Sequence, residues 1–148
     1  MDKQKVLFVC IHNSGRSQMA EALLRSIGGD AFEAESAGFE PGTLNPLAVA
    51  ALKEIGIDIS QAKTKSVFDL YKQGRMYQFV VTVCDESSSE RCPIFPGIVR
   101  GRMHWSFKDP AGFQGSPEEK LAKTRVVRDE IKAKIEEFVR TETAAAKQ

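Results

Sequence analysis

The stretch KVLFVCIHNSGRSQMAEALL, residues 5–24, joins an apolar segment to an amphipathic one through a short polar loop. After Lys5 the residues VLFVC are apolar, and several are β-branched or aromatic, which predicts a short buried strand ending at Cys10. From about Ser14 onward apolar residues recur at helical spacing, and a glycine pair at 28–29 predicts where this helix ends. The apolar stripe consists of Met19, Ala20, Leu23, Leu24 and Ile27. The sequence therefore predicts a strand, a loop and a helix, with a cysteine where the strand ends.

Three further helices are predicted, at 45–56, at 66–73 and over a long last segment that opens with SPEE at 116–119. Asn45 is placed to cap the first of them, with a proline after it and a glycine just past its end. Ser116 and Glu119 have the spacing of a capping box, which defines the start of the last helix. The final residues, TETAAAKQ, are expected to fray.

Strand patterns alternate with these helices at 32–39, at 77–84 and within 97–107. Such alternation predicts parallel strands joined by right-handed crossovers, hence a single α/β domain over residues 1–148, with Trp105 and Phe107 packed in its core. Ligands of such sheets bind at the carboxyl ends of the strands. Cys10 and Cys84 each end a predicted strand, so both are expected at this edge.

Composition and charge narrow the class of protein. The formal net charge of +1 gives no electrostatic reason to expect a nucleic-acid or membrane partner, and no apolar run reaches the roughly 20 residues of a membrane span. The N-terminal residues lack the apolar core of a signal peptide, so a cytoplasmic protein is expected. Nothing in the sequence demands more than a monomer, which is the expected state. Thiols are normally reduced in the cytoplasm. The count of three cysteines fits one reactive thiol plus a pair that alternates between two thiols and a disulfide.

The loop after Cys10 has the composition of an anion-binding site. A loop between a strand and a helix can turn several backbone N–H groups to one point, and the helix N-terminus adds about half a positive charge. Arg16 can supply a planar fork for two oxygens of a tetrahedral oxyanion, and Ser14 or Ser17 can donate a hydrogen bond to the Cys10 sulfur. The same field stabilises a thiolate, so Cys10 is predicted to be a nucleophile. The predicted oxyanion-binding residues are Ile11, His12, Asn13, Ser14, Gly15, Arg16 and Ser17.

FVCIHNSGRSQMAEALL, together with SAG at 36–38 and GIDIS at 56–60, resembles the low-molecular-weight protein tyrosine phosphatase superfamily. Within it the sequence is most similar to the thioredoxin-coupled arsenate reductases, over about residues 5–140. The resemblance implies a four-stranded parallel sheet flanked by helices on both faces. It also implies a cytoplasmic enzyme of arsenic detoxification, with arsenate as substrate and thioredoxin as reductant. A glutaredoxin-type or mycothiol-linked reductant would leave almost no mark on the sequence.

Asp109-Pro110 is a candidate for the general acid. A departing oxygen needs a proton, and proline stiffens the loop that presents the carboxyl group. Since Asp-Pro is also a common turn, the spacing alone leaves both interpretations open. The resemblance favours the catalytic role, because both branches of the superfamily place an acid in a late Asp-Pro.

Cys84 and Cys92 lie at the two ends of the polar segment CDESSSERC. From the residues alone, either a redox pair or two unrelated thiols is possible, whereas a zinc site is disfavoured because the histidines are few and no Cys-x2-Cys is present. The resemblance implies a relay of three cysteines, in which Cys10 attacks arsenate, Cys84 releases arsenite, and Cys92 moves the disulfide to Cys84–Cys92.

Two expectations concern departures from that family. Some members bind potassium through Asn, Glu, Ser and an acidic residue; Asn13, Glu21 and Ser36 match, but Lys65 stands at the acidic position and its ammonium can occupy the place of the ion, so potassium is not expected. Because the implied relay carries the two electrons on thiols, no organic cofactor is expected either. Ala111 and Gly112 follow Asp109-Pro110 where the phosphatases usually carry an aromatic residue. The alternatives are a low-molecular-weight protein tyrosine phosphatase, which needs no second thiol, and a non-catalytic phosphate-binding regulator.

Overall fold

The computed structural model describes residues 3–85, 95, 97 and 99–146. The described residues form four strands and four α-helices, and two short 3-10 turns lie at Gly29–Ala31 and Pro110–Gly112. In chain order the regular elements are β1 Gln4–Cys10, α1 Arg16–Gly28, β2 Phe32–Gly38, α2 Pro46–Lys53, α3 Val67–Lys72, β3 Tyr77–Thr82, β4 Val99–His104 and α4 Pro117–Ala146. The predicted order of strands and helices is confirmed, with α2 followed directly by α3 and no described helix between β3 and β4.

The sheet has the strand order β2-β1-β3-β4, and all of its strand pairs are parallel. In the central strand Val9 pairs with Ala37 on one side and Thr82 on the other. The carboxyl ends of β1, β2 and β3 therefore lie side by side, which brings Cys10 next to Gly38 and to the residues that follow Thr82.

Both faces of the sheet are covered, as predicted. Alternate residues of β1 serve the two faces: Val6 and Phe8 join a core cluster with α1, α2 and α4, whereas Leu7 and Val9 join one with α3. Because β1 is buried on both faces, its sequence is an uninterrupted apolar run rather than an alternating one. Trp105 and Phe107 belong to the first cluster, which confirms their predicted place in the core.

Capping residues begin α2 and α4 where the sequence indicates. The Asn45 side chain accepts a hydrogen bond from Leu47 N at 2.9 Å, with Pro46 at the first helical position. Ser116 Oγ accepts from Glu119 N at 3.2 Å, and Glu119 Oε1 accepts in return from Ser116 N at 3.5 Å. This reciprocal pair is the predicted capping box.

Several boundaries differ from the prediction: α1 begins at Arg16 rather than near Ser14, and α2 ends at Lys53 rather than just before Gly56. β3 ends at Thr82, so Cys84 lies two residues beyond the strand, although Val83 N still donates to Val9 O at 2.9 Å. The predicted fraying of the last residues is wrong as far as Ala146, because α4 continues to that residue. Its last turn is rich in alanine, which has the highest helix propensity. Among the helices that the structure describes, none combines the length and the apolar character needed to cross a bilayer.

Gly38 lets the end of β2 approach the loop that follows Cys10. A Cβ atom at this position would lie 2.7 Å from Ile11 O and 2.8 Å from Asn13 N, both backbone atoms that cannot rotate away. The backbone of Gly38 is also fixed by a hydrogen bond to Lys65 O at 2.8 Å.

Gly38→Ala should therefore displace the loop and lower the free energy of unfolding by about 1–3 kcal/mol, the usual cost of overpacking. Denaturant unfolding monitored by circular dichroism measures this change. Gly112→Ala is the matched control, because a Cβ there would meet nothing within 4 Å. Equal stability of the two variants would contradict this account of Gly38.

Candidate active site

The loop between β1 and α1 turns its backbone N–H groups inward. Its carbonyl groups point the other way and accept hydrogen bonds from N–H groups of the segment after β2. These bonds run from Phe39 N to Cys10 O at 3.2 Å, from Glu40 N to Ile11 O at 2.8 Å, from Gly42 N to His12 O at 2.9 Å and from Asn45 N to Ser14 O at 2.8 Å. A planar trans peptide holds each carbonyl opposite to the N–H group of the next residue. The N–H groups of residues 11, 12, 13 and 15 therefore face away from that segment; the loop of residues 10–16 with these N–H groups is called the nest, and it has the geometry expected of an anion-binding site.

The thiol of Cys10 lies inside this nest and is 3% exposed. Asn13 N donates to Cys10 Sγ at 3.1 Å, and Ser17 Oγ lies 2.9 Å from the same sulfur. A thiolate can only accept hydrogen bonds, so the Ser17 hydroxyl donates to it in that state. Of the two serines that the sequence leaves as candidates, Ser17 is the one that contacts the sulfur.

Asn13 adopts a left-handed backbone conformation, with φ at 54°, which is uncommon for a residue other than glycine. Its buried side chain holds it there: Nδ2 donates to Ser17 Oγ at 2.7 Å, and Oδ1 accepts from Lys65 N at 2.9 Å and from Gln18 Nε2 at 3.1 Å. Asn13 is a predicted loop residue, whereas Gln18 is not predicted, because nothing in its spacing on α1 sets it apart from the core residues beside it.

Arg16 and Asp109 meet at the rim of the nest. The Arg16 guanidinium is 3% exposed; Nη1 donates to Phe107 O at 3.1 Å, and Nη2 lies 3.3 Å from Asp109 Oδ2. The other carboxyl oxygen of Asp109 accepts from Ala111 N at 3.0 Å, and this side chain remains about one-third exposed. An oxyanion held by Arg16 would therefore lie within reach of the Asp109 carboxyl group, as a general acid requires.

Cys84 is held beside the nest by the sheet. Val83 N bonds to Val9 O, and Phe107 N donates to Cys84 O at 3.2 Å, so Cys84 follows the strand next to the one that ends at Cys10. Cys84 is 1% exposed and takes part in a disulfide, whereas Cys10 is a free thiol. Cys92, the other member of the predicted redox pair, lies outside the described residues.

Glu21, Ser36 and Lys65 come together below the loop, next to Asn13. Ser36 Oγ donates to Glu21 Oε1 at 2.8 Å, and Lys65 Nζ lies 3.6 Å from the same oxygen. Arg25 Nη2 approaches the second carboxylate oxygen at 3.4 Å. A cation binding here would meet the ammonium group of Lys65, so the residues present do not fit a potassium ion. Over residues 3–85, 95, 97 and 99–146, no cluster of three or more His, Cys, Asp or Glu side chains is arranged to hold a metal.

His12, the remaining side chain of the nest with a titratable group, turns away from the sulfur. Its Nδ1 lies 2.9 Å from Glu40 O, and since a carbonyl can only accept, Nδ1 carries a proton. The ring is exposed. The His12 side chain is therefore engaged with the segment after β2, and the predicted contribution of His12 to oxyanion binding would come from its backbone N–H group.

Comparison with known proteins places this site in a family. The family model of low molecular weight phosphotyrosine protein phosphatases matches residues 5–148. The chain belongs to that family. Among its curated relatives is an arsenate reductase of Bacillus subtilis, which is 43% identical over 141 residues that make up 95% of this chain and 99% of the relative.

Solved structures of the family share the architecture. An arsenate reductase of Archaeoglobus fulgidus superimposes with a TM-score of 0.71 at 32% identity, over 90% of this chain and 98% of that one. A thioredoxin-dependent arsenate reductase of Corynebacterium glutamicum does so with a TM-score of 0.68 at 28% identity, over 98% of this chain and 64% of that one. The expected four-stranded parallel sheet of low-molecular-weight phosphatases is thereby confirmed.

Arg16→Lys should weaken oxyanion binding about 10- to 100-fold, because one ammonium group cannot reproduce a bidentate, charge-assisted contact worth roughly 1.5–3 kcal/mol. The measurement is the phosphate concentration that half-protects Cys10 from alkylation by iodoacetamide. Arg25→Lys is the control, since Arg25 lies on the same helix with its side chain 62% exposed. Unchanged protection of the Arg16→Lys variant would show that Arg16 does not bind the oxyanion.

Proposed function

We propose that this protein reduces arsenate to arsenite with its own thiols and is regenerated by thioredoxin. The observation that carries the proposal is the buried free thiol of Cys10, which lies in an anion nest between Arg16 and Ser17, one strand away from Cys84. The relatives that match almost the whole chain support it, because they are arsenate reductases and one of them is thioredoxin-dependent.

In the first step the Cys10 thiolate attacks arsenic(V) of arsenate held by Arg16 and the loop. A sulfur–arsenic bond forms, an arsenic–oxygen bond breaks, and Asp109 gives its proton to the departing oxygen, which leaves as water. The Ser17 hydroxyl and the Asn13 N–H group favour the attacking state of the sulfur, since both donate to it. No change in oxidation state has occurred at this stage.

In the second step the thiolate of Cys84 attacks the Cys10 sulfur. A Cys10–Cys84 disulfide forms while the sulfur–arsenic bond breaks, and the bonding pair stays on arsenic, which leaves as arsenite in the +3 state. The two electrons therefore come from the two sulfurs. The placement of Cys84 one strand from Cys10 supports this step, because neighbouring strands are about 4.8 Å apart.

In the third step Cys92 attacks Cys84, which returns Cys10 to the thiolate and leaves a Cys84–Cys92 disulfide. The dithiol of thioredoxin then reduces this disulfide and is itself oxidised. The oxidised Cys84 beside a free Cys10 is compatible with the state that follows the transfer. Thioredoxin is thus the proposed partner, and no organic cofactor is needed.

The rival function is hydrolysis of phosphotyrosine with the same Cys10, Arg16 and Asp109, and the family match favours it as the second candidate. Phosphate and arsenate share shape and charge, so the nest does not discriminate between them. In this chain Ala111 and Gly112 are exposed at the 3-10 turn after Asp109, so these two positions provide no aromatic wall. The reductase is therefore the preferred function, because only it needs Cys84 and Cys92.

Cys92→Ser should restrict the enzyme to one turnover, since the Cys10–Cys84 disulfide would form but could not be passed on. The measurement is arsenite released per enzyme molecule with thioredoxin, thioredoxin reductase and NADPH in excess. About one equivalent is expected from the variant and continuous release from the wild type. Ser87→Ala is the control: it substitutes a residue between Cys84 and Cys92 but keeps all three cysteines, so it should release arsenite continuously. Continuous release by Cys92→Ser would refute the relay.

We further propose that the Lys65 ammonium group takes the place of a bound cation next to Glu21. It neutralises this 7% exposed carboxylate at 3.6 Å, while the Lys65 N–H group fixes Asn13. Initial rates in potassium and sodium salts of equal ionic strength should agree within about twofold, because electrostatic screening is the same in both. A large stimulation by potassium would overturn this proposal, and Lys65→Asp should make the rate respond to potassium.

A further inference from the structure

Gln18 connects the segment after α2 to the loop that holds the nucleophile. Its side chain is 1% exposed, and Nε2 donates both to Lys63 O at 3.0 Å and to Asn13 Oδ1 at 3.1 Å. The carbonyl of Lys63 can only accept, so the nitrogen end of the Gln18 amide must face it. Both hydrogens of this amide are therefore used, one on each of two separate segments.

The amide orientation of Asn13 follows in the same way. Lys65 N, a backbone donor, lies 2.9 Å from the end of the Asn13 side chain that also accepts from Gln18, so this end is the oxygen. The nitrogen end then faces Ser17 Oγ at 2.7 Å and donates to it. Two backbone groups, the Lys63 carbonyl and the Lys65 amide, thus fix the direction of every hydrogen bond up to Ser17.

This direction decides what the Ser17 hydroxyl does. A serine hydroxyl has one hydrogen to donate, and since Ser17 Oγ already accepts from Asn13, its hydrogen is directed to Cys10 Sγ at 2.9 Å. If the Asn13 amide were free to turn, its oxygen would compete for the same hydrogen. The donor-to-acceptor direction of these hydrogen bonds, which ends at the sulfur, therefore favours the Cys10 thiolate over the thiol.

We propose that Gln18 is a positioning residue that stabilises the Cys10 thiolate by holding the Asn13 amide, and through it the Ser17 hydroxyl, in this orientation. The proposal rests on Cys10 as the nucleophile of the proposed function. Gln18 touches neither the sulfur nor the nest that would hold the oxyanion. Its effect is transmitted through two hydrogen bonds, and it should be visible in the ionisation of Cys10 without any substrate.

The test uses Gln18→Met, which has similar length and no amide donor, in a Cys84→Ser, Cys92→Ser background where Cys10 is the only thiol. The pH dependence of Cys10 alkylation by iodoacetamide reports the thiolate fraction. We expect the midpoint of this profile to rise by about one pH unit, which is a tenfold smaller thiolate fraction where the thiol predominates. Because no arsenate is present, this result is independent of whether the protein is a reductase or a phosphatase.

Thr124→Val is the matched control, since Thr124 is a buried polar residue of α4 that donates within its own helix to Lys120 O at 2.8 Å. It should change thermal stability but not the alkylation profile. In a Ser17→Ala background the shift caused by Gln18→Met should largely disappear. A folded Gln18→Met variant with an unchanged midpoint, or the same shift with and without Ser17, would overturn the proposal.

A second measurement needs no substitution at Gln18. In nitrogen-15-labelled protein of the same single-thiol background, the side-chain amide resonances of Gln18 and Asn13 should both titrate with the midpoint of the Cys10 alkylation profile. The amide of Gln114, an exposed residue outside this chain of hydrogen bonds, should not follow it. Resonances of Gln18 that do not respond to the ionisation of Cys10 would overturn the proposal even if the Gln18→Met variant failed to fold.

Discussion

The site depends on the orientation of the peptide groups between Cys10 and Arg16. Their N–H groups face away from the segment that follows β2, because the carbonyl groups on the opposite side are bonded to that segment. This contact requires the backbones to approach closely, which the absence of a side chain at Gly38 allows. It also requires the left-handed conformation of Asn13, whose side chain is held by donors from two other segments. The parallel sheet fixes all of these parts at one edge.

The same arrangement serves two chemical tasks. In the proposed function the inward N–H groups and Arg16 provide the positive field that an oxyanion needs, and a field of this sign in general favours a thiolate over a thiol. Ser17 and Asn13 donate directly to the sulfur. What separates a reductase from a phosphatase therefore lies outside the nest, at the thiol of Cys84 on the neighbouring segment and at the small residues after Asp109. In the proposed reaction the nest supplies the nucleophile, and the residues around it decide between reduction and hydrolysis.

The sequence predicted most of the fold because the decisive signals are local. Periodicity and capping residues located all four α-helices, and the strand-end position of Cys10 located the nest. Asp109 and Arg16 were predicted separately, and the structure places their charged groups 3.3 Å apart. The prediction that the last residues fray was wrong as far as Ala146, because it gave their position at the terminus more weight than their alanine content. The end of β3 was misplaced by two residues because Val83 and Cys84 are apolar and still extend the hydrogen bonding.

The role of Gln18 could not be read from the sequence, because its partners Lys63 and Asn13 come together only through tertiary packing. The central claim, that Cys10 and Cys84 together supply the electrons that reduce arsenate, is tested most directly by counting thiols. Fully reduced protein is treated with one equivalent of arsenate without thioredoxin, and any disulfide is mapped by mass spectrometry of peptides. The account predicts loss of two thiols, one equivalent of arsenite and a Cys84–Cys92 peptide. Survival of all three thiols, with hydrolysis of an aryl phosphate by the same sample, would contradict it.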